Sequence, residues 1–391
     1  MKKNIGIMSW SLNAGGAERA VANLSKDLSE KYNVYILLFD SENIAYPYSG
    51  TVLGIGGKPG RNILSKGVNL IRRCIEIKRI KKKCNIHTMI SFMPQLNIYN
   101  ILTKGKDKAI VSIRNNMTQK GVSSLSRKLI TWVGKKADMT VSLSEGVRQD
   151  LINNFGYDQN KVVTIYNSCD VNWFMQDSVE VDRLIESFDF TKPTIVTVGR
   201  MTYQKGQWHL LRAFSEVVKT IPDCQLVIFG QGELKETLQI YAKKLDVEKS
   251  VFMPGFVKNH HKFMKKCDVF VFPSLFEGLG NVLLEALACE MPIISTDCLS
   301  GPSEILNDSA PLDLKEMCKA KYGILVPTFS PSEFVIEDTS LESEDRTLAN
   351  AILKVLTDND LANAYRKQAK RRSKDFYPSM IQKQWIDMIE Q

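Results

Sequence analysis

Residues 194–218 read TIVTVGRMTYQKGQWHLLRAFSEVV, and this stretch decides the fold of the second half of the chain. Thr194 to Val198 is a short β-branched run of the kind that is buried in a parallel sheet. A polar loop that begins at Gly199 follows it. The next segment places its apolar residues on one helical face, namely Leu210, Leu211, Phe214, Val217 and Val218. A strand, a loop and a helix in this order predict a right-handed βαβ unit.

The same alternation recurs along the whole chain. Further strands are predicted at Ile5–Trp10, Val34–Phe39, Thr88–Phe92, Ala109–Ile113, Met139–Leu143, Val162–Tyr166, Gln225–Phe229, Val269–Phe272 and Ile293–Thr296. A helix with an apolar face from Ala17 to Leu28 follows the first of them. The predicted fold class is therefore α/β, with two Rossmann-like, doubly wound parallel-sheet domains.

Two polar, acidic stretches mark the organisation of the chain. The first, around residues 177–192, predicts a boundary between a first domain at 1–185 and a second domain at 186–375. The second, around residues 327–345, predicts an irregular insertion. Residues 376–391 are expected to form a C-terminal helix that packs back on the first domain.

The composition is that of a globular chain with a sizeable core, since 44% of the 391 residues are hydrophobic and 24% are charged. No apolar run approaches the ~18 residues that span a bilayer. The run Ile5–Met8 is too short for a signal-peptide core, so we expect a cytoplasmic protein. The eight cysteines are scattered without a C-x-x-C pair, which disfavours disulfides. The adjacent His260 and His261 would point to different sides of a helix or strand, so no metal site is expected.

Two of the loops that follow predicted strands suit a phosphate. Open α/β sheets bind ligands at this edge. Gly15 and Gly16 open a helix, where glycine permits close approach of the backbone and the helix dipole favours an anion. A plain strand–helix turn is the alternative. After Gly199, Arg200 and Lys205 could grip a diphosphate, although two solvated surface cations are the alternative.

A third loop runs from Glu277 into an apolar helix that contains Glu285. A carboxylate in so apolar a helix is costly to bury without partners, and the hydroxyl groups of a sugar or ribose would be suitable ones. A salt bridge or an exposed position is the alternative for Glu285. The N–H groups expected near Gly278 to Asn281 would suit a phosphate.

Together these loops resemble the retaining glycosyltransferases of family 4, which have the GT-B fold. The family pattern is a Gly-Gly loop, a G-R-x-x-x-x-K-G segment and two glutamates separated by seven residues, and all three occur here in order. Further collinear matches are Ser142–Val147, Tyr166–Asp170, Gly255–Asn259, Gly301–Ile305 and Tyr322–Pro327. The resemblance covers most of the chain and implies two domains that face a central cleft.

The resemblance also implies a role for each matching residue. Arg200 and Lys205 would bind the donor diphosphate and stabilise the leaving nucleoside diphosphate, and Glu277 would contact the transferred sugar. These three are the candidate catalytic residues. Glu285 would hold the ribose hydroxyls. The other donor-binding positions are Gly15, Gly16, Gly199, Gly230, Phe256, Val257, Gly278, Leu279, Gly280 and Asn281, of which Gly230, Phe256 and Val257 would flank the nucleobase.

The implied reaction transfers a hexose or N-acetylhexosamine from a nucleotide diphosphate sugar to an acceptor hydroxyl, with retention of the anomeric configuration. The acceptor would attack from the face of the leaving group, and a diphosphate oxygen would take its proton. Such enzymes need no metal and no further cofactor. A UDP-linked sugar is the first expectation for the donor, ahead of GDP-mannose. Arg114 and Asn115 are acceptor candidates, because they lie where the family's acceptor-side loop falls and where some relatives carry Glu or His.

The positive charge is concentrated in the first half of the chain. Residues 1–190 carry 27 Lys and Arg against 17 Asp and Glu, whereas residues 191–391 carry 25 against 26. Residues 58–83 alone hold ten cations, interleaved with aliphatic residues, which is typical of a basic amphipathic helix on an anionic bilayer. The candidate membrane contacts are Arg72, Arg73, Lys78, Arg79, Lys81, Lys82 and Lys83. Nucleic acid is disfavoured because the stretch lacks aromatic residues for base stacking, and a solvated cationic face is the remaining alternative.

Combined with the family resemblance, the basic stretch predicts a lipid-diphosphate-linked saccharide acceptor at the cytoplasmic face of the plasma membrane. The first domain would face the acceptor and the membrane, and the second would bind the nucleotide sugar, in surface polysaccharide, lipopolysaccharide or glycan assembly. The alternative is a non-catalytic subunit of a glycan assembly complex that binds a nucleotide sugar and the membrane. The presence of Arg200, Lys205, Glu277 and Glu285 favours the enzyme, because a non-catalytic relative is expected to lose some of them.

Overall fold

The computed structural model describes residues 2–13, 15–42, 44–56, 63–118, 121–169, 179–330 and 333–391. The chain forms two compact units, one of Met1–Ser168 with Pro378–Gln391 and the other of Cys169–Tyr377. The boundary predicted at residue 185 falls later than this division. The polar helix Val179–Ser187 packs within the second unit, where Lys262 donates to the Asp182 carboxylate at 3.3 Å.

The first unit is built on a parallel sheet. Its strands are β1 Asn4–Ser9, β2 Asn33–Leu38, β3 Thr51–Gly54, β4 Thr88–Phe92, β5 Lys108–Ile113, β6 Met139–Ser142 and β7 Val162–Thr164. Its helices are α1 Gly16–Ser29, α2 Ile63–Lys83, α3 Pro94–Leu102, α4 Ser124–Lys136, α5 Glu145–Phe155 and, from the end of the chain, Pro378–Glu390. The strand order is β3-β2-β1-β4-β5-β6-β7, with every neighbouring pair parallel.

Successive residues of β1 show how both faces of this sheet are covered. Ile7 packs in a cluster with Val21 of α1 and Trp385 of the C-terminal helix, whereas Met8 packs on the opposite face with Ile77 of α2. This double burial requires nearly continuous apolar strands, which is the pattern that made the strands predictable. The C-terminal helix is also tied to the first unit by polar contacts, since the Glu390 carboxylate accepts from Lys3 at 2.9 Å and from the Tyr32 hydroxyl at 2.6 Å.

The second unit repeats the arrangement. Its strands are β8 Thr194–Val198, β9 Gln225–Phe229, β10 Val251–Gly255, β11 Val269–Phe272, β12 Ile293–Thr296, β13 Cys318–Lys319 and β14 Ile324–Val326. Its helices are α6 Val179–Ser187, α7 Gln207–Thr220, α8 Lys235–Lys244, α9 His261–Met264, α10 Asn281–Ala288, α11 Pro302–Asn307, α12 Ser343–Thr357 and α13 Asn359–Ser373, so that Pro378–Glu390 is α14. The strand order is β10-β9-β8-β11-β12-β14-β13, and only β13 runs antiparallel to its neighbour.

All of the predicted strands are present, with small differences at their ends. The structure adds β3, β10, β13 and β14, which were not predicted. These strands are short or lie at a sheet edge, and β3 is partly exposed throughout, so their apolar signal in the sequence is weak. Among the described residues, no helix combines the length and the apolarity needed to cross a bilayer.

The strand order of each unit places its ligand-binding edge. The order reverses between β1 and β4 in the first sheet and between β8 and β11 in the second. At such a switch point the loops after the two strands diverge and leave a crevice beyond the carboxyl ends. In the second unit these two loops are the ones that contain Lys205 and Glu277.

Candidate active site

Lys205 and Glu277 are brought together at the switch point of the second sheet. Lys205 belongs to a 3-10 turn, Tyr203–Lys205, after β8, and Glu277 lies in the loop after β11. The Lys205 ammonium donates to the Glu277 carboxylate, and it also lies 5.1 Å from the centre of the Phe272 ring. Both side chains are largely but not fully shielded, at 15% and 9% exposure. The residue predicted to bind the diphosphate and the residue predicted to bind the sugar therefore lie at one site.

Two glycines permit the close packing that holds this site. Gly206 has φ +57°, and a Cβ there would lie 2.3 Å from the Pro273 carbonyl oxygen, so only glycine lets the Lys205 turn pack on the loop after β11. Gly230 has φ +135°, and a Cβ there would lie 1.9 Å from the Gly199 carbonyl oxygen. Gly199 in turn lies against the side chain of Lys205, whose Cδ would be 3.4 Å from a Cβ at Gly199. Gly199 and Gly230 thus shape the strand ends beside the cation.

Arg200 is exposed in the same loop as Lys205. Its carbonyl accepts from the Thr202 N–H at 2.9 Å and from the Gln207 side chain at 3.2 Å, which fixes the backbone of the loop. Within the described part of the chain, the guanidinium has no ion-pair partner. A guanidinium that has no protein counter-ion, on a backbone fixed by hydrogen bonds, is suited to bind a diphosphate.

The helix after Glu277 begins as predicted. Its first residue is Asn281, and its N-cap is Gly280 in the left-handed conformation, with φ +84°. Leu279 is buried, so only its backbone can take part in ligand binding. The first N–H groups of a helix lack intrahelical partners and attract anions, which is the role predicted for Gly278 to Asn281.

Glu285 lies on the buried side of the same helix and has protein partners. His261 Nε2 lies 3.1 Å from Glu285 Oε2, and His260 Nε2 lies 3.6 Å from the same oxygen. The expectation that the two histidines would point to different sides is wrong. Asn259 has φ +59°, and His260 lies in the turn before α9, so the regular geometry assumed for adjacent residues does not apply. Their ring centroids are 4.2 Å apart.

The loop after β10 contains Phe256 and Val257, two of the three residues predicted to flank the nucleobase, whereas the third, Gly230, follows β9. Phe256 is 66% exposed, and an aromatic ring of that exposure is available for stacking. Val257 is buried, but its carbonyl oxygen accepts from His260 Nδ1 at 3.2 Å. The loop and the Glu285 cluster are therefore continuous.

Sequence reasoning missed two serines beside this site. Ser274 and Ser300 follow β11 and β12, and both are fully buried. Neither hydroxyl has a hydrogen-bond partner among the described residues, which is uncommon for a buried polar group. Ser274 precedes the loop that begins at Glu277, and Ser300 precedes the matched Gly301–Ile305 segment, but serine is too common for its presence to signal a site.

In the first unit, Gly15 and Gly16 lie at the start of α1, as predicted. The Gly15 N–H faces the Tyr46 hydroxyl at 3.4 Å, and the Glu18 carboxylate lies over Gly15, 2.3 Å from a hypothetical Cβ. An anion at this position would meet the negative charge of Glu18 as well as the helix dipole. Phosphate contact by these glycines stays a prediction.

Arg114 is buried at the carboxyl end of β5, whereas Asn115 is exposed. The guanidinium donates to the Asn167 side chain and lies 5.4 Å from the centre of the Phe92 ring. Among the described residues, its Nε has no hydrogen-bond partner and no carboxylate pairs with the guanidinium. Burial without a counter-ion lowers the pKa of Arg114 to about 9. Such a cation is suited to bind an anionic group.

The basic stretch forms α2, and two of its predicted membrane contacts are turned inward. Lys81 is buried and pairs with Asp107 at 2.8 Å, so its assignment to a membrane surface is wrong. Arg73 is half-buried, with its guanidinium 5.1 Å from the Phe39 ring and 5.7 Å from the Trp10 ring. The remaining candidates are exposed, namely Arg72, Lys78, Arg79, Lys82 and Lys83.

Comparisons with known proteins agree with this arrangement. Residues 14–173 match the family model described as Glycosyltransferase Family 4, and residues 179–372 match the model described as Glycosyl transferases group 1. A Campylobacter jejuni protein named N-acetylgalactosamine-N,N'-diacetylbacillosaminyl-diphospho-undecaprenol 4-alpha-N-acetylgalactosaminyltransferase is 30% identical over 388 residues, which is 96% of each chain. The chain belongs to glycosyltransferase family 4.

Other relatives of this family 4 glycosyltransferase are similar over most of their length. An uncharacterized glycosyltransferase of Methanocaldococcus jannaschii is 34% identical over 314 residues, 77% of this chain and 76% of the relative. The crystal structure of the Anabaena protein HepE in complex with UDP superposes with a TM-score of 0.78 at 16% identity, over 100% of both chains. The two doubly wound units of the family 4 glycosyltransferase are those of the GT-B fold.

Proposed function

We propose that the protein transfers a hexose or N-acetylhexosamine from a UDP-linked donor to a lipid-diphosphate-linked saccharide, with retention of configuration and without a metal. The observation that carries the proposal is the Lys205–Glu277 pair at the switch point of the second sheet, with Arg200 exposed in the same loop as Lys205. Relatives named as transferases acting on diphospho-undecaprenol saccharides support this acceptor class.

When the donor binds, its contacts with Lys205 and Glu277 would replace the ion pair between these two residues. The Lys205 ammonium would pair with the diphosphate and no longer with Glu277. The Glu277 carboxylate would then accept hydrogen bonds from hydroxyl groups of the sugar. Arg200 would add a planar fork to the same diphosphate. Glu285 would accept the ribose hydroxyls. These cations and the amides at the start of α10 would supply the charge stabilisation that a metal supplies elsewhere.

In the reaction, the bond between the anomeric carbon and the diphosphate oxygen breaks, and a bond from that carbon to the acceptor oxygen forms on the same face. The acceptor proton passes to a diphosphate oxygen, so the products are the extended saccharide and the nucleoside diphosphate. The charge that develops on the leaving group is what Arg200 and Lys205 stabilise. No protein general base is required.

The acceptor side would use Arg114 and Asn115 of the first unit. A buried guanidinium without a carboxylate partner in the described structure gains its missing counter-charge when an anion binds. The diphosphate of a lipid-linked acceptor is such an anion. Asn115, which is exposed, would offer amide hydrogen bonds to the saccharide.

The outer face of α2 would hold the enzyme on the cytoplasmic face of an anionic membrane. Val68, Ile71 and Ile75 are spaced as one helical row and are 64%, 61% and 63% exposed. Exposed cations flank this row. Aliphatic side chains that enter the headgroup boundary, with cations that pair with lipid phosphates, are the two attractions of an interfacial helix.

The activity is tested with a panel of nucleotide sugars, a diphospho-polyprenol saccharide and a chelator. We expect one UDP-sugar to release its nucleoside diphosphate. The chelator should not lower the rate. NMR of the product should show the same anomeric configuration as the donor sugar. No release with any donor contradicts the enzyme and favours a non-catalytic subunit. Loss of activity in chelator alone contradicts metal independence.

Membrane binding is tested by vesicle co-sedimentation. Replacing Arg72, Lys78, Arg79 and Lys82 with Gln should weaken binding to vesicles that contain anionic lipid. The matched control removes four exposed lysines of the second unit, Lys219, Lys249, Lys258 and Lys315. Equal binding by the two variants contradicts the assignment to α2.

A further inference from the structure

His260, His261 and Glu285 form a compact cluster within the second unit that the proposed chemistry does not fully use. Each residue offers one ligand atom, and these atoms all lie within 4.8 Å of one another. The cluster is well shielded, since the side chains of His260, His261 and Glu285 are 14%, 2% and 7% exposed. It lies where the turn before α9 meets the buried side of α10.

The hydrogen bond of His260 fixes which nitrogen is available. Its Nδ1 lies 3.2 Å from the Val257 carbonyl oxygen. A carbonyl oxygen can only accept, so Nδ1 carries a proton, and Nε2 is the ring nitrogen that can serve as a ligand. That Nε2 is buried and has no hydrogen-bond donor among the described residues.

Nε2 of His260 faces a carboxylate oxygen. His260 Nε2 lies 3.6 Å from Glu285 Oε2, and His261 Nε2 lies 3.1 Å from the same atom. A ring-nitrogen lone pair and a carboxylate oxygen at this separation repel each other unless a proton or a metal ion lies between them. An imidazole whose second nitrogen is held by a backbone carbonyl is also the arrangement in which histidine ligates metals.

We propose that His260 Nε2, His261 Nε2 and the Glu285 carboxylate bind one divalent ion of the Zn²⁺ type. Two imidazoles and one carboxylate are a ligand set that zinc accepts, with a fourth position left for water. Ligands of a tetrahedral zinc ion lie about 3.3 Å apart when the bonds are 2.0–2.1 Å long. The two separations at Glu285 Oε2, 3.1 and 3.6 Å, lie on either side of that spacing, and the ligand atoms of the cluster all lie within 4.8 Å of one another.

The ion would oppose donor binding. This step rests on the proposed function, in which Glu285 accepts the ribose hydroxyls of the nucleotide. Ligation occupies Oε2 and places two positive charges beside the carboxylate, which leaves it a poorer acceptor for two hydroxyls. The reaction itself needs no metal, and the site acts as a metal-dependent inhibitor of nucleotide binding.

The metal site is tested on the full chain after removal of metals with a chelator. We expect one Zn²⁺ per chain by calorimetry, and with Co²⁺ the visible absorption of a tetrahedral site without a thiolate charge-transfer band. His260→Asn keeps a donor near Nδ1 but removes Nε2, and should weaken binding by ~100-fold or more, since even the loss of an outer partner costs 10–100-fold. His87→Asn, at an exposed histidine, is the matched control and should bind as the wild type does.

Absence of one-to-one binding, unchanged binding by His260→Asn or a thiolate band from one of the eight cysteines would overturn the metal site. In the first two cases a proton, and not a metal, lies between the histidines and Glu285. None of these results bears on the transferase activity, which is measured in chelator.

The inhibition is tested with UDP as the probe and free Zn²⁺ set by a metal buffer. Saturating Zn²⁺ should raise the Kd for UDP about tenfold in the wild type and leave it unchanged in His260→Asn. Bound Zn²⁺ with an unchanged Kd overturns the inhibition while the site stands. Failure of the metal-free protein to bind UDP overturns the donor assignment instead.

Discussion

Two lysine–carboxylate pairs, one in each unit, show how differently the same chemistry is used. Lys81 and Asp107 are 6% and 5% exposed, and Lys81 also donates to the Asn100 side chain at 3.3 Å and the Thr103 carbonyl at 3.4 Å. Lys205 and Glu277 lie at the open edge of the second sheet, and beyond their own bond the cation faces the Phe272 ring. The first pair is enclosed by further acceptors, whereas the second can exchange partners.

The difference teaches that a buried cation is not by itself evidence of function. Lys81 lies in a stretch with ten cations that resembles a membrane-binding helix, yet the side chain is buried. Burial lowers the pKa of Lys81, and the Asp107 carboxylate pairs with the ammonium group. Lys205 lies in an ordinary polar loop. What separates them is the number of protein acceptors around the ammonium group, and substitutions in each pair test that distinction.

The largest effect is expected at the enclosed pair. Lys81→Met leaves Asp107 as a buried charge without its cation, which should lower the free energy of unfolding by about 3–5 kcal/mol. Denaturant titration measures the change. Adding Asp107→Asn retains an acceptor for the Gly105 N–H, which lies 3.0 Å from the Asp107 carboxylate, and removes the unpaired charge. The double variant should therefore be more stable than Lys81→Met alone, and equal stability would mean that the pair is not coupled.

The open pair should affect catalysis and not stability. Lys205→Ala removes the cation that we propose stabilises the leaving diphosphate, so kcat should fall ~10²–10³-fold, which corresponds to about 2.7–4 kcal/mol. Steady-state kinetics with the preferred donor measure it. Lys219→Ala, at an exposed lysine that pairs with Glu216 on α7, is the control and should retain wild-type kcat. Wild-type turnover by Lys205→Ala would show that the open pair is structural, as the enclosed pair is.

The smallest effect is expected at a third cluster, where the exposed Glu390 binds the exposed Lys3 and the buried Tyr32. Hydrogen bonds from these two residues lower the pKa of Glu390 from 4.5 to about 2. Because the folded pKa is depressed, this stabilisation is present above pH 4.5 and is lost as the pH falls towards 2. Glu390→Gln should therefore lower the Tm at pH 7 and approach the wild-type Tm near pH 2.

At neutral pH, Glu390→Gln is expected to lower the free energy of unfolding by less than about 1 kcal/mol, because an exposed ion pair is screened by solvent. In a Lys3→Met background, the difference in Tm between Glu and Gln at residue 390 should be smaller, since Lys3 is the main cause of the lowered Glu390 pKa. A pH-independent difference in Tm would show that the C-terminal helix is held by its apolar face, through residues such as Trp385, and not by this cluster.

Much of the fold was predictable from local patterns. The strands Thr194–Val198 and Val269–Phe272 were predicted with the ends that the structure shows, because a buried parallel strand is a continuous apolar run with a glycine or proline after it. The short edge strand β3 was missed, since partly exposed residues such as Val52 and Leu53 lack that signal. The order of the glycine, cation and glutamate motifs was enough to indicate the family.

The surroundings of the site were less predictable. Glu285 was expected to need partners, but the identity of the first partner, His261, depends on a left-handed turn at Asn259 that brings a segment 24 residues away in sequence onto the helix. The buried Ser274 and Ser300 gave no signal at all. Such contacts depend on how loops cross a sheet edge, which sequence periodicity does not report.

The sequence by itself determined the alternation of strands and helices, the placement of Lys205 and Glu277 in loops after strands, and the charge of the first half. Only the tertiary structure decided that Lys205 meets Glu277 across 72 residues, that Lys81 is buried while Lys82 is exposed, and that two histidines converge on Glu285. The reason is physical. Periodicity reports which side of an element avoids water, whereas the fate of a charge depends on the dielectric and the partners that distant segments bring to it.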